Sequence, residues 1–263
     1  WQNNCYNQPG YTKFYYASDM DFRQVLPEMK RKPVLYLAGD STAQSYHESE
    51  RPQTGWGEKL VDALEAENCW KEAHRDSSPF SQEMSYETRH IIVDNCAMAG
   101  RSSRSFREEG RLEDIKNQMK SGDYLLIQFG HNDAAAEKKE RYVPLETFGE
   151  SLMEYIRVAR EKKAYPILIS SICLRPCLAN EQGENAKIDA LLPKYAEEMK
   201  KLADKENIPY VDMLGITRKA CAKAGEEQTA VWYREDNVHL QEAGAQLYAH
   251  FVAEEIKKLI GKE

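Results

Sequence analysis

The stretch Val34-Leu35-Tyr36-Leu37-Ala38-Gly39-Asp40-Ser41-Thr42 most constrains what this chain can fold into. It opens as an unbroken apolar run set off by Pro33. A run that short and that apolar reads as a strand buried on both faces, as in a parallel sheet covered by helices. The run stops at Gly39 and meets three small polar residues, and Gly55-Trp56-Gly57-Glu58 then opens a helical pattern through Leu60, Val61 and Leu64. A strand that ends in Gly-Asp-Ser ahead of a helix places a serine hydroxyl at the carboxyl edge of a sheet. In open α/β folds that edge is where ligands bind.

The same alternation continues along the chain. Ile91–Asn95, Tyr124–Phe129, Pro166–Ser170 and Ile208–Asp212 predict further strands. Helical patterns between and after them run through Leu112, Ile115 and Met119 up to Gly122, through Leu152, Ile156 and Ala159, from Ile188 to Leu202, from about Leu214 to Ala224, and from Ala245 to Leu259. Strands alternating with helices predict a parallel sheet with helices on both faces. Right-handed crossovers then put the carboxyl ends of the strands on one rim. The expected fold is α/β, a three-layer α/β/α sandwich with a flavodoxin-like five-stranded parallel sheet in one domain over residues 33–263. Residues 1–32 are rich in tyrosine and phenylalanine and read as an N-terminal extension packed on the core. Residues 68–88 are polar, carry Pro79 and read as a loop insertion, as do residues 173–186 as a polar loop. The charged run Glu137-Lys138-Lys139-Glu140-Arg141 reads as a solvated loop.

Composition removes several classes of function. At 263 residues and 41% hydrophobic, the chain has material for a sizeable core. Its net charge of -7 gives no global attraction to nucleic acid. No apolar run approaches the roughly 20 residues that a membrane helix needs, so no membrane insertion is expected. Six cysteines are too sparse for a disulfide scaffold. Cys173 and Cys177 are close enough in sequence to pair or to stay as free thiols, and they lack a second ligand pair at zinc spacing. Cys96 and Cys221 read as buried small residues.

Four polar clusters follow strands or precede the last helix: Gly39–Thr42, Ala99–Ser102, Gly130–Asp133 and Asp236–His239. The topology brings them to one edge of the sheet. Serine is a weak nucleophile unless an imidazole takes its proton, and that imidazole needs a carboxylate to fix its tautomer. Asp236 and His239 are three residues apart just before a helix, where a turn lets the carboxylate reach one ring nitrogen while the other faces Ser41. A tetrahedral oxyanion needs preorganised donors, and the backbone amides of Ser41 and Gly100 with the side-chain amide of Asn132 suit that task. His131, Asp40 and Asp133 read as structural braces of these loops.

Together the Gly39-Asp40-Ser41-Thr42 block, Gly55-Trp56-Gly57, the Ala99–Phe106 run with Glu109-Gly110-Arg111, Gln128–Asp133 and Asp236–His239 resemble the SGNH (GDSL-like) hydrolase superfamily. Within it they are most similar to the rhamnogalacturonan acetylesterase family, over roughly residues 33–260. Thr42 stands where the superfamily's nominal Gly-Asp-Ser-Leu has leucine, and threonine is usual for the acetylesterase branch. The resemblance implies Ser41 as nucleophile, His239 as base, Asp236 as its orienting acid, and Gly100 and Asn132 as oxyanion donors. It implies a carbohydrate esterase that releases acetate from acetylated pectic polysaccharide, with galacturonic acid as the acetyl bearer. No metal or organic cofactor is implied. It also implies an exported protein, although the chain opens on Trp1 without a basic-then-apolar leader. Arg101, Arg104 and Arg107 suit a uronate carboxylate, or else ion pairs with Glu108, Glu109 and Glu113 on their own helix. Trp56, Trp232 and Tyr233 suit stacking on sugar faces, with Trp56 also readable as core. Two alternatives stay open: a broader acetyl xylan or small-ester esterase of the same superfamily, and a flavodoxin-like phosphate- or flavin-binding domain. The second leaves Asp236 and His239 unused and lacks the glycine density and lysine of a phosphate loop.

Overall fold

The computed structural model describes residues 31–64, 71–75, 78–176 and 183–260. The aromatic extension before residue 31, together with Cys5, Cys69 and Cys177, lies outside the described residues. Strand β1 (Val34–Gly39) sits at the centre of the sheet. Its side chains alternate, Leu35 and Leu37 entering one buried cluster and Tyr36 and Ala38 the other, as the period of two in a strand requires.

After helix α1 (Leu60–Leu64) come β2 (Lys71–His74), β3 (Met84–Glu87) and β4 (Ile92–Asn95). Helices α2 (Ser103–Glu108) and α3 (Arg111–Gln118) lead to β5 (Tyr124–Phe129), and α4 (Leu145–Glu161) leads to β6 (Tyr165–Ser170). Then follow α5 (Glu184–Glu206), β7 (Tyr210–Val211), α6 (Met213–Ala230) and α7 (Glu242–Ile260). The sheet order is β2-β3-β4-β1-β5-β6-β7. Pairing is parallel from β4 through β1, β5 and β6 to β7, and β3 is antiparallel to both β2 and β4. Helices α1, α6 and α7 cover one face through residues such as Leu60, Met213 and Val252. Helices α2 to α5 cover the other through Phe106, Ile115, Leu152 and Met199.

The parallel strands are those that the apolar runs predict. The 68–88 segment differs: its described residues form the β2–β3 hairpin that extends the sheet. Its polar composition concealed a strand pair whose charges are neutralised inside the protein. Buried Arg75 pairs with Glu83, with Asp94 at 3.3 Å and with Asp114 at 2.5 Å. Arg111 adds an ion pair to Glu83 at 3.7 Å and stacks 4.1 Å from the Phe80 ring centre. Removing one partner of such a group leaves a buried charge uncompensated, which costs about 3–5 kcal/mol. Helix bounds also shift. Gly110, at φ 83°, separates α2 from α3, and α3 stops at Gln118 before Gly122. Helix α6 runs past Ala224 through a kink at Gly225. Cys96, Cys173 and Cys221 are buried thiols, and the described neighbour of Cys173 is Cys221, with 3.7 Å between the sulfurs.

The chain passes from β4 to β5, the two neighbours of β1, so the direction of winding reverses at β1. A crevice opens at the carboxyl ends of strands at such a point, and the loop after β1 enters it. Gly55 and Gly57 allow the next segment to lie against that loop. A Cβ at Gly55 would stand 2.1 Å from the Gln44 carbonyl oxygen, and one at Gly57 2.4 Å from that of Ala43. Trp56, wholly buried, donates its backbone N–H to the Thr42 carbonyl at 2.9 Å. Because the Gly55 clash is with backbone, Gly55→Ala is expected to destabilise the fold by about 2 kcal/mol. Thermal unfolding measures this, and an unchanged midpoint would show that the two backbones are free to separate.

Candidate active site

The turn that carries Ser41 is held by its neighbour. The Asp40 carboxylate accepts hydrogen bonds from the Thr42 backbone N–H at 2.9 Å and from the Thr42 hydroxyl at 2.8 Å. A leucine at position 42 could not make the second bond. His131 Nδ1 stands 3.6 Å from the same carboxylate. Burial acts to raise the Asp40 acid, but its interactions with His131 and Thr42 outweigh burial and hold it below the ordinary aspartate range. The Tyr46 hydroxyl donates to the Ser41 carbonyl at 2.7 Å. The Asn95 amide at the end of β4 donates to the Ala43 carbonyl at 2.8 Å, and Gln44 accepts from the Ala99 N–H at 2.6 Å. The serine turn is thereby joined to the loop that carries Gly100.

His239 comes from the segment between α6 and α7. Its ring places Nε2 3.0 Å from Ser41 Oγ and Nδ1 2.8 Å from Asp236 Oδ2. Asp236 Oδ1 accepts from the backbone N–H groups of Val238 at 2.8 Å and His239 at 2.9 Å. An ionised carboxylate only accepts, so Nδ1 carries the proton, and Nε2 presents its lone pair to the serine hydroxyl. Burial acts to raise the Asp236 carboxyl, but the bonds from the His239 ring and the two backbone N–H groups prevail and hold it at about 2. Asn237 takes up the left-handed turn between them at φ 60°, a region that asparagine tolerates. Arg175, after β6, clamps that turn by donating to the Asn237 carbonyl at 2.9 Å and to its side-chain oxygen at 3.1 Å. Arg234 donates its backbone N–H to the His239 carbonyl at 2.7 Å and its side chain to Gln53 at 2.6 Å.

The opposite wall is formed by Gly100, at φ 76°, and Asn132. Asn132 donates one amide hydrogen to the Arg101 carbonyl at 2.9 Å, which fixes the group and leaves its second N–H. Asp133 accepts from the Ser103 N–H at 3.0 Å and the Ser103 hydroxyl at 2.6 Å, so it braces the start of α2. Its complete burial lifts its acid to about 7 despite these bonds. His131 bonds the Ile172 carbonyl through Nε2 at 2.9 Å, also as a brace.

Ser41, Gly100, Asn132 and His239 line one cavity of about 390 Å³, within the usual range of small-molecule sites, about 300–1,000 Å³. The residues expected to bind sugar are placed elsewhere. Trp56 is fully buried, Trp232 is 8% exposed and Tyr233 1% exposed, so none offers a face for stacking. Their rings serve the core instead: Trp232 packs edge-on to Tyr248, and the Tyr233 hydroxyl donates to the Cys173 carbonyl at 2.8 Å. Arg101 is taken up by Glu109 at 2.7 Å and by the Ala99 carbonyl at 2.8 Å. Arg104 bonds the Lys139 carbonyl at 2.8 Å and lies 3.9 Å from Glu108. Arg101 follows the ion-pair alternative through Glu109, whereas Arg104 is held chiefly by a backbone carbonyl.

The cavity is lined instead by Lys138, Arg141 and Asn185, which the sequence reading missed. The charged run 137–141, read as solvated, contributes two of them. The signal was its position directly after the Gly130–Asp133 block, on the same rim.

A three-layer α/β sheet bearing a serine, a histidine and an aspartate in one hydrogen-bonded line on its rim defines a serine hydrolase. The family model described as GDSL-like Lipase/Acylhydrolase matches residues 35–252, and the chain belongs to that family of ester hydrolases. Rhamnogalacturonan acetylesterase RhgT of Bacillus subtilis (strain 168) is 35% identical across 88% of this chain and 93% of its own length. Rhamnogalacturonan acetylesterase of Emericella nidulans is 26% identical across 82% of this chain and 81% of its own. The solved structure of Axe2, an acetylxylan esterase from Geobacillus stearothermophilus, aligns with a TM-score of 0.60 at 20% identity, over 89% of this chain and 98% of its own, and carries the fold alone. Among the described residues no helix is long and apolar enough to cross a membrane.

The Asp236 geometry yields a pH dependence. An acid lowered from 3.8 to about 2 on folding contributes stability that is present above about pH 4 and lost as pH falls toward 2. The group is about half exposed, so screening limits the gain to about 1 kcal/mol. The stability difference between the parent and Asp236→Asn is expected to shrink across that window in denaturant titrations. A difference constant down to about pH 2 would contradict the lowered acid.

Proposed function

We propose that this esterase removes O-acetyl groups from acetylated pectic polysaccharide of the rhamnogalacturonan type, through an acetyl-serine intermediate. The observation that carries the reading is the Ser41–His239–Asp236 line, with bonds of 3.0 and 2.8 Å, opening on a cavity walled by Gly100 and Asn132. The substrate class is supported by the names of the relatives that match most of this chain.

Ser41 Oγ attacks the acetyl carbonyl carbon as its proton moves to His239 Nε2. Negative charge gathers on the carbonyl oxygen, where the N–H groups of Ser41 and Gly100 and the free amide hydrogen of Asn132 receive it. Asp236 stabilises the imidazolium that forms. Collapse breaks the bond to the sugar oxygen, which takes the proton from His239 and leaves as an alcohol. Water then gives its proton to His239 and attacks the acetyl-serine; collapse breaks the bond to Ser41 Oγ, which takes the proton back from His239, and releases acetate. In this reading the polymer is met outside the cytoplasm.

Acetate release from acetylated pectic oligosaccharides tests the mechanism. Ser41→Ala is expected to fall at least about 1,000-fold, and retention of parental turnover would end the proposal. Asn132→Ala is expected to lose about 100- to 1,000-fold in kcat; a change confined to KM would remove Asn132 from the oxyanion site. A neutral-xylan reading is supported only by likeness of fold at 20% identity. A phosphate- or flavin-binding reading is weakened because the Ser41 hydroxyl is engaged by an imidazole.

A further inference from the structure

We infer that Arg141 reads the carboxylate of a uronic acid unit in the substrate, an assignment that rests on the pectic reading above. Lys138 and Arg141 both line the cavity that holds Ser41. Lys138 is already answered by a carboxylate, with Glu184 at 3.1 Å from its ammonium group. Arg141 is not. Among the described residues its side chain makes one long hydrogen bond, from Nη1 to the Gly100 carbonyl at 3.4 Å. Its nearest carboxylate is Glu140 at 3.9 Å, on a side chain that is 73% exposed. Its Nε is buried with no hydrogen-bond partner among the described residues.

A guanidinium has five N–H donors in a planar fork. Here the side chain is only 20% exposed, so water supplies few of the missing acceptors, and a half-desolvated cation gains most from a carboxylate that can take two parallel hydrogen bonds. Its position fits that role. Nη1 would stand 3.1 Å from a Cβ at Gly100, so the fork borders the loop proposed to receive the oxyanion. A uronic acid ring carries its carboxylate and its acetylated hydroxyl on the same small frame. A cavity of about 390 Å³ with a nucleophile on one wall and an unanswered guanidinium on another matches such a ring. Arg101 is held by Glu109, and neither it nor Arg104 is among the residues that line this cavity.

The test compares two substrates within each enzyme: acetylated rhamnogalacturonan oligosaccharides with free uronate carboxylates, and the same oligosaccharides with the carboxylates methyl-esterified. Acetate release gives kcat/KM for both. The parent is expected to favour the free acid by about tenfold or more, chiefly through KM, since hydrogen bonds to charged groups are worth that much. Arg141→Gln is expected to bring the ratio near one, and Arg141→Lys to retain part of the preference. Because each ratio is internal to one variant, a lower folded fraction cancels; should Arg141→Gln release no acetate at all, the Arg141→Lys ratio decides. A parental ratio in Arg141→Gln, or in Arg141→Lys if that variant decides, overturns the assignment. A parent that deacetylates both substrates equally also overturns it and leaves the proposed function standing. A parent that deacetylates neither overturns both.

Discussion

A hydrogen bond of 3.0 Å joins the Ser41 hydroxyl to the His239 ring across 198 positions of sequence. Neither end is rigid by itself: serine turns freely about one bond, and the histidine sits outside any strand or helix. The parallel sheet supplies the rigidity. It ends β1 at Gly39 beside β4 and β5 and fixes where the serine turn begins. Asn95 and Gln44 then tie that turn to the Gly100 loop. On the other side Arg175, at the exit of β6, holds the turn that aims His239. A proposed nucleophile and base carried on loops need this support, because an error of about 1 Å in placement removes most of the advantage of proximity.

Charge is arranged in two shells around that bond. The carboxylates of Asp40, Asp133 and Asp236 lie behind the loops, each accepting backbone or hydroxyl hydrogen bonds. They fix backbone rather than meet a ligand. The cations Lys138 and Arg141 face the cavity. The chain carries a net charge of -7, yet the cavity lining holds two cations, one of them paired with Glu184 on the same lining. At physiological salt charges are screened over roughly 8 Å, so a cavity responds to its own lining and not to the total. Net charge could therefore argue against nucleic acid and say nothing useful about a carboxylate in the site.

The parallel strands were legible because strands buried on both faces must be apolar without interruption, and Val34–Ala38 and Tyr124–Ile127 are. Helices α4 and α7 were legible through apolar residues recurring every three or four positions. The β2–β3 hairpin was not, because its polar residues are satisfied by one another and by partners from β4 and α3; Arg75 illustrates this with Glu83 from the hairpin segment, Asp94 and Asp114. The aromatics misled for a related reason. Trp232 and Tyr233 lie close to the histidine segment in sequence, but both pack edge-on against Tyr248 of α7 and are withdrawn into the core. The arginines after Gly100 misled because sequence shows proximity to the site but not which carboxylates lie nearer.

By itself the sequence determined the alternation of strands and helices, the rim on which four polar blocks meet, and the spacing that lets Asp236 orient His239. Those follow from periodicity, from chirality and from hydrogen bonds within a few residues of each other. Only the tertiary structure decided which cations face the cavity, which aromatics are withdrawn from it, and where the polar insertion goes. Each of those outcomes is a competition between partners distant in sequence, and the winner is set by distances that exist only once the sheet has formed.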